Sequence, residues 1–144
     1  GFGEIKEEDK SPRFKDHTFT VNEQKVLKNI DNIAKGQKYR IVKGFYQDTI
    51  KNKTTKDLKI NKARVVMIDC DLKESTTIAL EFIKPSIQEG TIILFDDYIF
   101  FKGSKDKGEY GAFEDFKKKN PEILFRRAFD YGYGSRAFIA YKVK

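Results

Sequence analysis

Two apolar runs in the middle of the chain are each closed by acidic residues. The first run, Ala63 to Ile68, is followed by Asp69, and the second run, Gly90 to Phe95, is followed by Asp96-Asp97. Continuous apolar character over this length is typical of a strand buried on both faces of a parallel sheet. The segment between the runs, Glu74 to Ile87, predicts a crossover helix. Since such crossovers are right-handed, we predict a βαβ unit with parallel strands.

The pattern upstream of this unit predicts a loop, a helix, a strand and a short irregular piece. Polar residues dominate Gly1 to His17 and indicate a loop. The segment Thr20-Val21-Asn22-Glu23 predicts a capping box in which Thr20 caps the amide of Glu23. Apolar residues then follow at helical spacing, and Gly36 is a plausible end of that helix. Tyr39 to Phe45 predicts a strand, and Thr49 to Lys59 a short helical or irregular segment.

Downstream of the unit the pattern predicts one more helix and a pair of strands. Lys102 to Gly108 reads as a loop, and a helix from about Glu109 to Lys119 ends at Asn120-Pro121. Phe125 to Phe129 and Ala137 to Val143 are β-rich runs joined by a glycine-containing turn, which favours an antiparallel pair. The whole chain, residues 1–144, is predicted as a single α/β domain.

The predicted topology collects carboxylates at one edge of the sheet. Parallel strands end at the same edge, where ligands bind in open α/β folds, so Asp69, Asp71, Asp96 and Asp97 would lie close together. Like charges 4 Å apart repel by roughly 1–4 kcal/mol per pair, depending on the local dielectric. A divalent cation such as Mg²⁺, which prefers oxygen ligands, would relieve this repulsion. The alternative is that these aspartates cap the following helices, as Asp71 could, although the adjacent Asp96-Asp97 pair is harder to explain by capping.

Composition limits the class of protein. The chain has 144 residues, of which 39% are hydrophobic and 35% charged, which is typical of a soluble globular domain. We find no apolar stretch of membrane-spanning length and no secretory signal. The single cysteine, Cys70, excludes a disulfide framework and cysteine-based zinc sites, and it indicates a reducing compartment, hence a cytoplasmic protein.

The net charge of +7 has two interpretations. It could indicate attraction to a nucleic acid or another acidic surface. It could also reflect lysines spread over solvated faces, as Lys117-Lys118-Lys119 would be on the wet side of a helix. Because base-reading motifs are absent, we favour the second interpretation and expect neither a nucleic-acid nor a membrane partner.

Three further sets of residues could have a functional role. The strings Gly1-Phe2-Gly3 and Gly132-Tyr133-Gly134 do not follow a buried strand and open a helix, so they are interpreted as loop glycines. His17, the single histidine, lies in a polar loop without a visible partner, which favours a surface role over a general base. Five aromatic residues could line a substrate mouth or pack in the core and its rim: Tyr98, Phe100, Phe101, Tyr131 and Tyr133.

Several segments resemble the macrocin O-methyltransferase family. The segment Asp69-Cys70-Asp71-Leu72-Lys73-Glu74-Ser75-Thr76 is similar to the D-x-D-L-Y-E-S-T segment of that family, and Lys73 stands where the family usually has tyrosine. The similarity continues through Gly90 to Tyr98 and Ala112 to Phe116. Upstream, Val42 to Thr49 is similar to the K-G-x-F-x-D-T stretch, so the resemblance extends from about residue 39 to the end of the chain.

This resemblance implies a fold and a function. The family consists of class I methyltransferases, which have a Rossmann-like sheet with helices on both faces and use S-adenosylmethionine, many of them on sugars or other natural-product hydroxyls. Carried over residue by residue, it implies Asp69, Asp96 and Asp97 as Mg²⁺ ligands and Asp71 as the nearest candidate for the base. The implied substrate is a small molecule with a hydroxyl group. The alternative is a non-catalytic methyltransferase-like domain that has lost its cofactor site.

The resemblance also implies that both cofactor-binding motifs lie upstream of residue 1, so no cofactor-binding residue is assigned. The chain would then be the C-terminal part of the domain, without its first two strands. In the family's strand order, 3-2-1-4-5-7-6, these strands separate the predicted Tyr39–Phe45 strand from the Ala63–Ile68 strand. We expect one of three outcomes: a partner segment fills the gap, two copies pair as a homo-oligomer, or the Tyr39–Phe45 strand closes it.

Overall fold

A four-stranded sheet and four α-helices form the part of the chain that the computed structural model describes, residues 5–7, 10, 12, 15 and 22–143. The chain divides into two units, one up to Phe45 and the other from Tyr46 onward. Within the described residues, no helix is both long and apolar enough to cross a membrane.

The first unit contains the predicted amphipathic helix, α1, over Glu23–Ala34. Its N-cap is Asn22, whose side-chain oxygen accepts a hydrogen bond from the backbone N–H of Lys25 at 3.2 Å. The capping residue is therefore not Thr20, which lies outside the described residues; asparagine is one of the strongest N-cap residues, so this helix begins where Asn22 can cap it. The chain leaves α1 through Lys35 and Gly36, both with positive φ, and Gly36 therefore follows the helix end as predicted.

The predicted strand at Tyr39 to Phe45 is wrong. This segment is irregular, and its apolar side chains are between 44% and 50% exposed. A β-rich composition gives a strand only where a neighbouring strand pairs with its backbone and its side chains find a surface to pack on. The third expected outcome, closure of the sheet by this segment, is therefore wrong as well.

The second unit contains the sheet. Its α-helices and strands follow in the order α2 Tyr46–Thr49, β1 Val65–Ile68, α3 Lys73–Ile83, β2 Ile92–Phe95, α4 Gly108–Lys119, β3 Ile123–Tyr131 and β4 Ser135–Val143. A short 3₁₀ helix, Thr55–Leu58, lies within the segment predicted as helical or irregular.

The sheet has the strand order β1-β2-β4-β3. Strands β1 and β2 are parallel, with Ile68 opposite Phe95, whereas β4 runs antiparallel to both β2 and β3. The predicted βαβ unit and the terminal antiparallel pair are thus confirmed. This order is also the one that the resemblance implies for strands 4-5-7-6 of a methyltransferase sheet.

Helices α3 and α4 pack against one face of the sheet and form the core with it. The phenyl ring of Phe113 in α4 lies 4.8 Å from that of Phe95 and 4.7 Å from that of Phe138, centroid to centroid. On the opposite face of β1, Val65 and Met67 are 61% and 56% exposed. The expectation that this strand is buried on both faces is therefore wrong, because only its α3 and α4 side is covered by described residues.

Candidate metal centre

Three of the four predicted carboxylates meet where β1 and β2 end. Asp69 follows β1, and Asp96 and Asp97 follow β2; each offers one carboxylate oxygen, and these oxygens all lie within 4.8 Å of one another. Asp69 is exposed, Asp96 half-buried and Asp97 buried. The parallel register of the two strands produces this convergence, because Ile68 and Phe95, the residues before the aspartates, are direct neighbours in the sheet.

The electrostatics of this cluster favour a cation. Partial burial raises the pKa of Asp69, and the negative charges of Asp96 and Asp97 raise it further. Carboxylate oxygens are the ligands that hard divalent cations such as Mg²⁺ prefer. The three residues therefore fit such an ion chemically, and their assignment as ligands stays a prediction.

A fourth carboxylate, Glu109, was missed by the sequence analysis. This residue, the second of α4, is fully buried, and its two oxygens accept hydrogen bonds from two backbone N–H groups. Glu109 Oε2 lies 3.0 Å from the nitrogen of Asp97, and Oε1 lies 3.4 Å from the nitrogen of Cys70. Burial raises the pKa of Glu109 to about 8. An acidic residue in the first turn of a helix is ordinary in sequence, which is why it gave no signal.

Glycines allow the start of α4 to approach the loop after β1 and the loop after β2 closely. Gly108 has φ +56°, and a Cβ atom there would lie 2.4 Å from the ring of Phe101 and 3.2 Å from the carbonyl oxygen of Asp71. At Gly111, a Cβ atom would lie 2.7 Å from the carbonyl carbon of Asp106. Because glycine lacks a Cβ atom, Gly108 and Gly111 permit this close approach around Glu109.

Asp71 lies between β1 and α3. The N-cap position of α3 is the next residue, Leu72, whose own side chain makes no capping bond. Asp71 adopts a left-handed conformation, φ +56°, which aspartate tolerates better than most residues. It lies outside the group of three aspartates within 4.8 Å of one another, yet its charge contributes to the raised pKa of Glu109. Its role as a base stays a prediction.

The aromatic residues that could line a substrate mouth differ in their surroundings. Tyr98 packs in the core, with its ring centroid 5.5 Å from that of Phe95, whereas Tyr133 is 90% exposed. Partial burial, followed by the charges of Asp96 and Glu109, raises the pKa of Tyr131 to about 12. Its buried hydroxyl has no hydrogen-bond partner among the described residues.

The loop glycines, the single cysteine and the single histidine were also singled out by their sequence positions. Gly132 and Gly134, both with positive φ, form the turn between β3 and β4, as the loop interpretation predicts. The thiol of Cys70 lies 3.4 Å from the hydroxyl oxygen of Thr76, and burial raises the pKa of this thiol to about 12. His17 and the string Gly1-Phe2-Gly3 lie outside the described residues.

Comparison with known protein families identifies the family of this chain. The family described as Macrocin-O-methyltransferase (TylF) matches residues 4–122, which includes all of the carboxylates discussed above. The chain belongs to the macrocin-O-methyltransferase family. No curated protein matches the chain.

Solved structures of O-methyltransferases share the fold of this member of the macrocin-O-methyltransferase family. The O-methyltransferase NovP is 22% identical, with a TM-score of 0.64 over 86% of this chain and 46% of its own. The apo structure of CalS11, a TDP-rhamnose 3'-O-methyltransferase in calicheamicin biosynthesis, is 19% identical, with a TM-score of 0.54 over 85% and 55% of the two chains. The chain thus spans about half the length of these proteins.

One departure from the macrocin-O-methyltransferase pattern has a structural role. Lys73, which stands where the family usually has tyrosine, is the first residue of α3. Its Nζ atom lies 3.0 Å from a carboxylate oxygen of Asp115 in α4. The lysine therefore links the two helices that cover the sheet.

Proposed function

We propose that the chain forms the metal-binding and proton-accepting part of an O-methyltransferase that depends on S-adenosylmethionine and Mg²⁺. The observation that carries this proposal is the convergence of Asp69, Asp96 and Asp97 at the carboxyl ends of two parallel strands. Membership of the macrocin-O-methyltransferase family supports the reaction class.

In the proposed reaction the residues of this chain have separate roles. Asp69, Asp96 and Asp97 would hold the divalent cation, which when bound supplies positive charge that makes a neighbouring hydroxyl more acidic. An alcohol is a poor nucleophile until it loses its proton, and Asp71 is the nearest candidate to accept that proton. S-adenosylmethionine supplies an electrophilic methyl group, and alignment of the oxygen with it would provide much of the remaining acceleration.

We propose a hydroxyl of a sugar or another small metabolite as the methyl acceptor. CalS11 is a TDP-rhamnose 3'-O-methyltransferase, so one structural relative acts on a sugar hydroxyl. In this chain the carboxylate edge is open to solvent at Asp69, which would admit a small substrate.

A second candidate function is a methyltransferase-like domain without a cofactor site. Such a domain would keep the carboxylate cluster and still bind a metal, but would not bind S-adenosylmethionine.

Calorimetry would test the proposal and separate the two candidates. The chain is titrated with MgCl₂, and then with S-adenosylmethionine at saturating Mg²⁺. A double variant, Asp96→Asn with Asp97→Asn, removes two proposed ligands, and Glu81→Gln removes an exposed carboxylate of α3 as the control. We expect the wild type and the control to bind Mg²⁺ and the double variant to lose binding.

Two results would overturn the proposal in different ways. Equal Mg²⁺ binding by the double variant would exclude the carboxylate cluster as the metal site. Retained Mg²⁺ binding without any heat from S-adenosylmethionine would favour the second candidate for this chain, whereas binding of both supports the enzyme.

A further inference from the structure

We propose that Glu109 is a positioning residue for the metal centre. Its carboxylate holds the loop after β1 and the loop after β2 at the separation that Asp69, Asp96 and Asp97 require to converge. This role rests on the proposed function, since it presupposes that the three aspartates bind a cation.

The hydrogen bonds of Glu109 join two segments that the sheet itself no longer connects. The paired register of β1 and β2 ends at Ile68 and Phe95, and the N–H of Asp96 donates to the carbonyl oxygen of Ile68 at 3.0 Å. Immediately beyond, Glu109 accepts from Cys70 in one loop and from Asp97 in the other. These two residues directly follow Asp69 and Asp96, so the bridge acts where the side chains of the cluster emerge.

The chemistry of the bridge requires a carboxylate. Two backbone N–H groups need two acceptor atoms, and a carboxylate supplies two oxygens, whereas a glutamine amide supplies one oxygen and an N–H₂ group that only donates. A buried N–H group left without an acceptor costs about 1–3 kcal/mol. Glutamine at position 109 would therefore release one of the two loops.

The surroundings of Glu109 enclose its side chain completely. It is fully buried, and it lies between Gly108 and Gly111, whose missing side chains let the backbone of α4 approach the loop residues Asp71 and Asp106.

The inference is tested by measuring metal affinity separately from stability. Mn²⁺, a paramagnetic substitute for Mg²⁺, is titrated into the wild type and Glu109→Gln, and free Mn²⁺ is followed by electron paramagnetic resonance at 10 °C. Groups that orient metal ligands typically contribute 10–100-fold to metal affinity, so we expect Glu109→Gln to weaken binding by that factor. Circular dichroism in EDTA establishes that the variant is folded at this temperature.

A control variant that loses a buried hydrogen bond elsewhere separates positioning from folding. Ser86 is buried and its hydroxyl donates to the carbonyl oxygen of Ile83 at 2.7 Å, away from the carboxylate edge. Ser86→Ala is expected to lower the melting temperature and leave Mn²⁺ affinity unchanged. If Glu109→Gln binds Mn²⁺ as tightly as the wild type, Glu109 is structural only and the inference is overturned.

A second variant covers the case in which Glu109→Gln does not fold. Glu109→Asp keeps two acceptor oxygens on a side chain that is shorter by one methylene group. We expect it to weaken Mn²⁺ binding, and to do so less than Glu109→Gln if both variants fold. Wild-type Mn²⁺ affinity in Glu109→Asp would overturn the inference. Failure of the wild type itself to bind Mn²⁺ would instead refute the proposed metal centre, so the two failures are distinguishable.

Discussion

The hydroxyl of Ser135 donates a hydrogen bond to the backbone carbonyl oxygen of Asp96 over 2.5 Å. Ser135 is the first residue of β4, which is the other neighbour of β2 in the sheet. The adjacent Gly134 accepts a second bond at its carbonyl oxygen from the N–H of Ile99, at 3.1 Å. The loop that carries Asp96 and Asp97 is therefore held from β4 on one side and by Glu109 on the other.

Replacing Ser135 by alanine should weaken both stability and metal binding. The variant leaves the Asp96 carbonyl oxygen without its hydroxyl partner, which is expected to cost about 1–2 kcal/mol. Because this carbonyl belongs to a proposed ligand, Mn²⁺ affinity should fall as well. Urea denaturation measures the first effect and Mn²⁺ titration the second. Ser86→Ala, which removes a similar buried bond elsewhere, should show only the loss of stability; equal Mn²⁺ affinities in both variants would contradict the prediction.

Alanine at Gly108 should destabilise the protein more than alanine at Gly103. Both glycines have positive φ, so each substitution carries a backbone cost of about 1 kcal/mol. At Gly103 nothing lies within 4 Å of the added Cβ, whereas at Gly108 the ring of Phe101 lies at 2.4 Å. We expect the collision to add about 1–3 kcal/mol at Gly108. Equal midpoints in urea denaturation of the two variants would show that the ring moves away freely.

The carboxylate cluster could be predicted from the sequence because it depends on local pattern and one topological rule. The apolar runs before Asp69 and Asp96 mark two strands, and a crossover of this length makes them parallel. Parallel strands end at the same edge, and the oxygens that follow them lie within 4.8 Å of one another. The strand order could likewise be stated once the family resemblance supplied it.

Glu109 and the Tyr39–Phe45 segment could not be predicted for a physical reason that they share. Both depend on tertiary contacts that leave no periodic pattern. The bridge of Glu109 depends on the close approach of α4 to two loops, 39 and 12 residues away in sequence. Conversely, Tyr39 to Phe45 has β-rich composition, but a strand also requires a neighbour, and local sequence does not report one.

The ion pair between Lys73 and Asp115 should make stability depend on pH in the acid range. The hydrogen bond from Lys73 lowers the pKa of Asp115 below its ordinary value of 3.8. A carboxyl group with a lowered pKa in the folded state stabilises the protein above pH 3.8, and this contribution is lost as pH falls through the folded-state pKa. Because Asp115 is 42% exposed, solvent screening limits the contribution to about 0.5 kcal/mol at pH 7.

The variant Lys73→Met tests this dependence. We expect it to be about 0.5 kcal/mol less stable than the wild type at pH 7 and equally stable near pH 2. Lys118→Met is the control, because Lys118 lies 3.8 Å from the other oxygen of Asp115 and is 76% exposed, so its effect should be smaller. Urea denaturation at pH 7, 5 and 2 gives the comparison. A difference for Lys73→Met that persists at pH 2 would mean that the effect of Lys73 does not come from its ion pair with the Asp115 carboxylate.

Removing the hydroxyl of Tyr131 should leave the protein as stable as before or more so. This hydroxyl is buried and has no hydrogen-bond partner among the described residues, and a buried polar group without a partner costs free energy in the folded state. Tyr131→Phe is therefore expected to raise the free energy of unfolding by up to about 1 kcal/mol. Tyr133→Phe changes a residue that is 90% exposed and should have no effect. If Tyr131→Phe instead lowers stability by 1 kcal/mol or more, about the strength of one hydrogen bond, then the hydroxyl has a partner in solution.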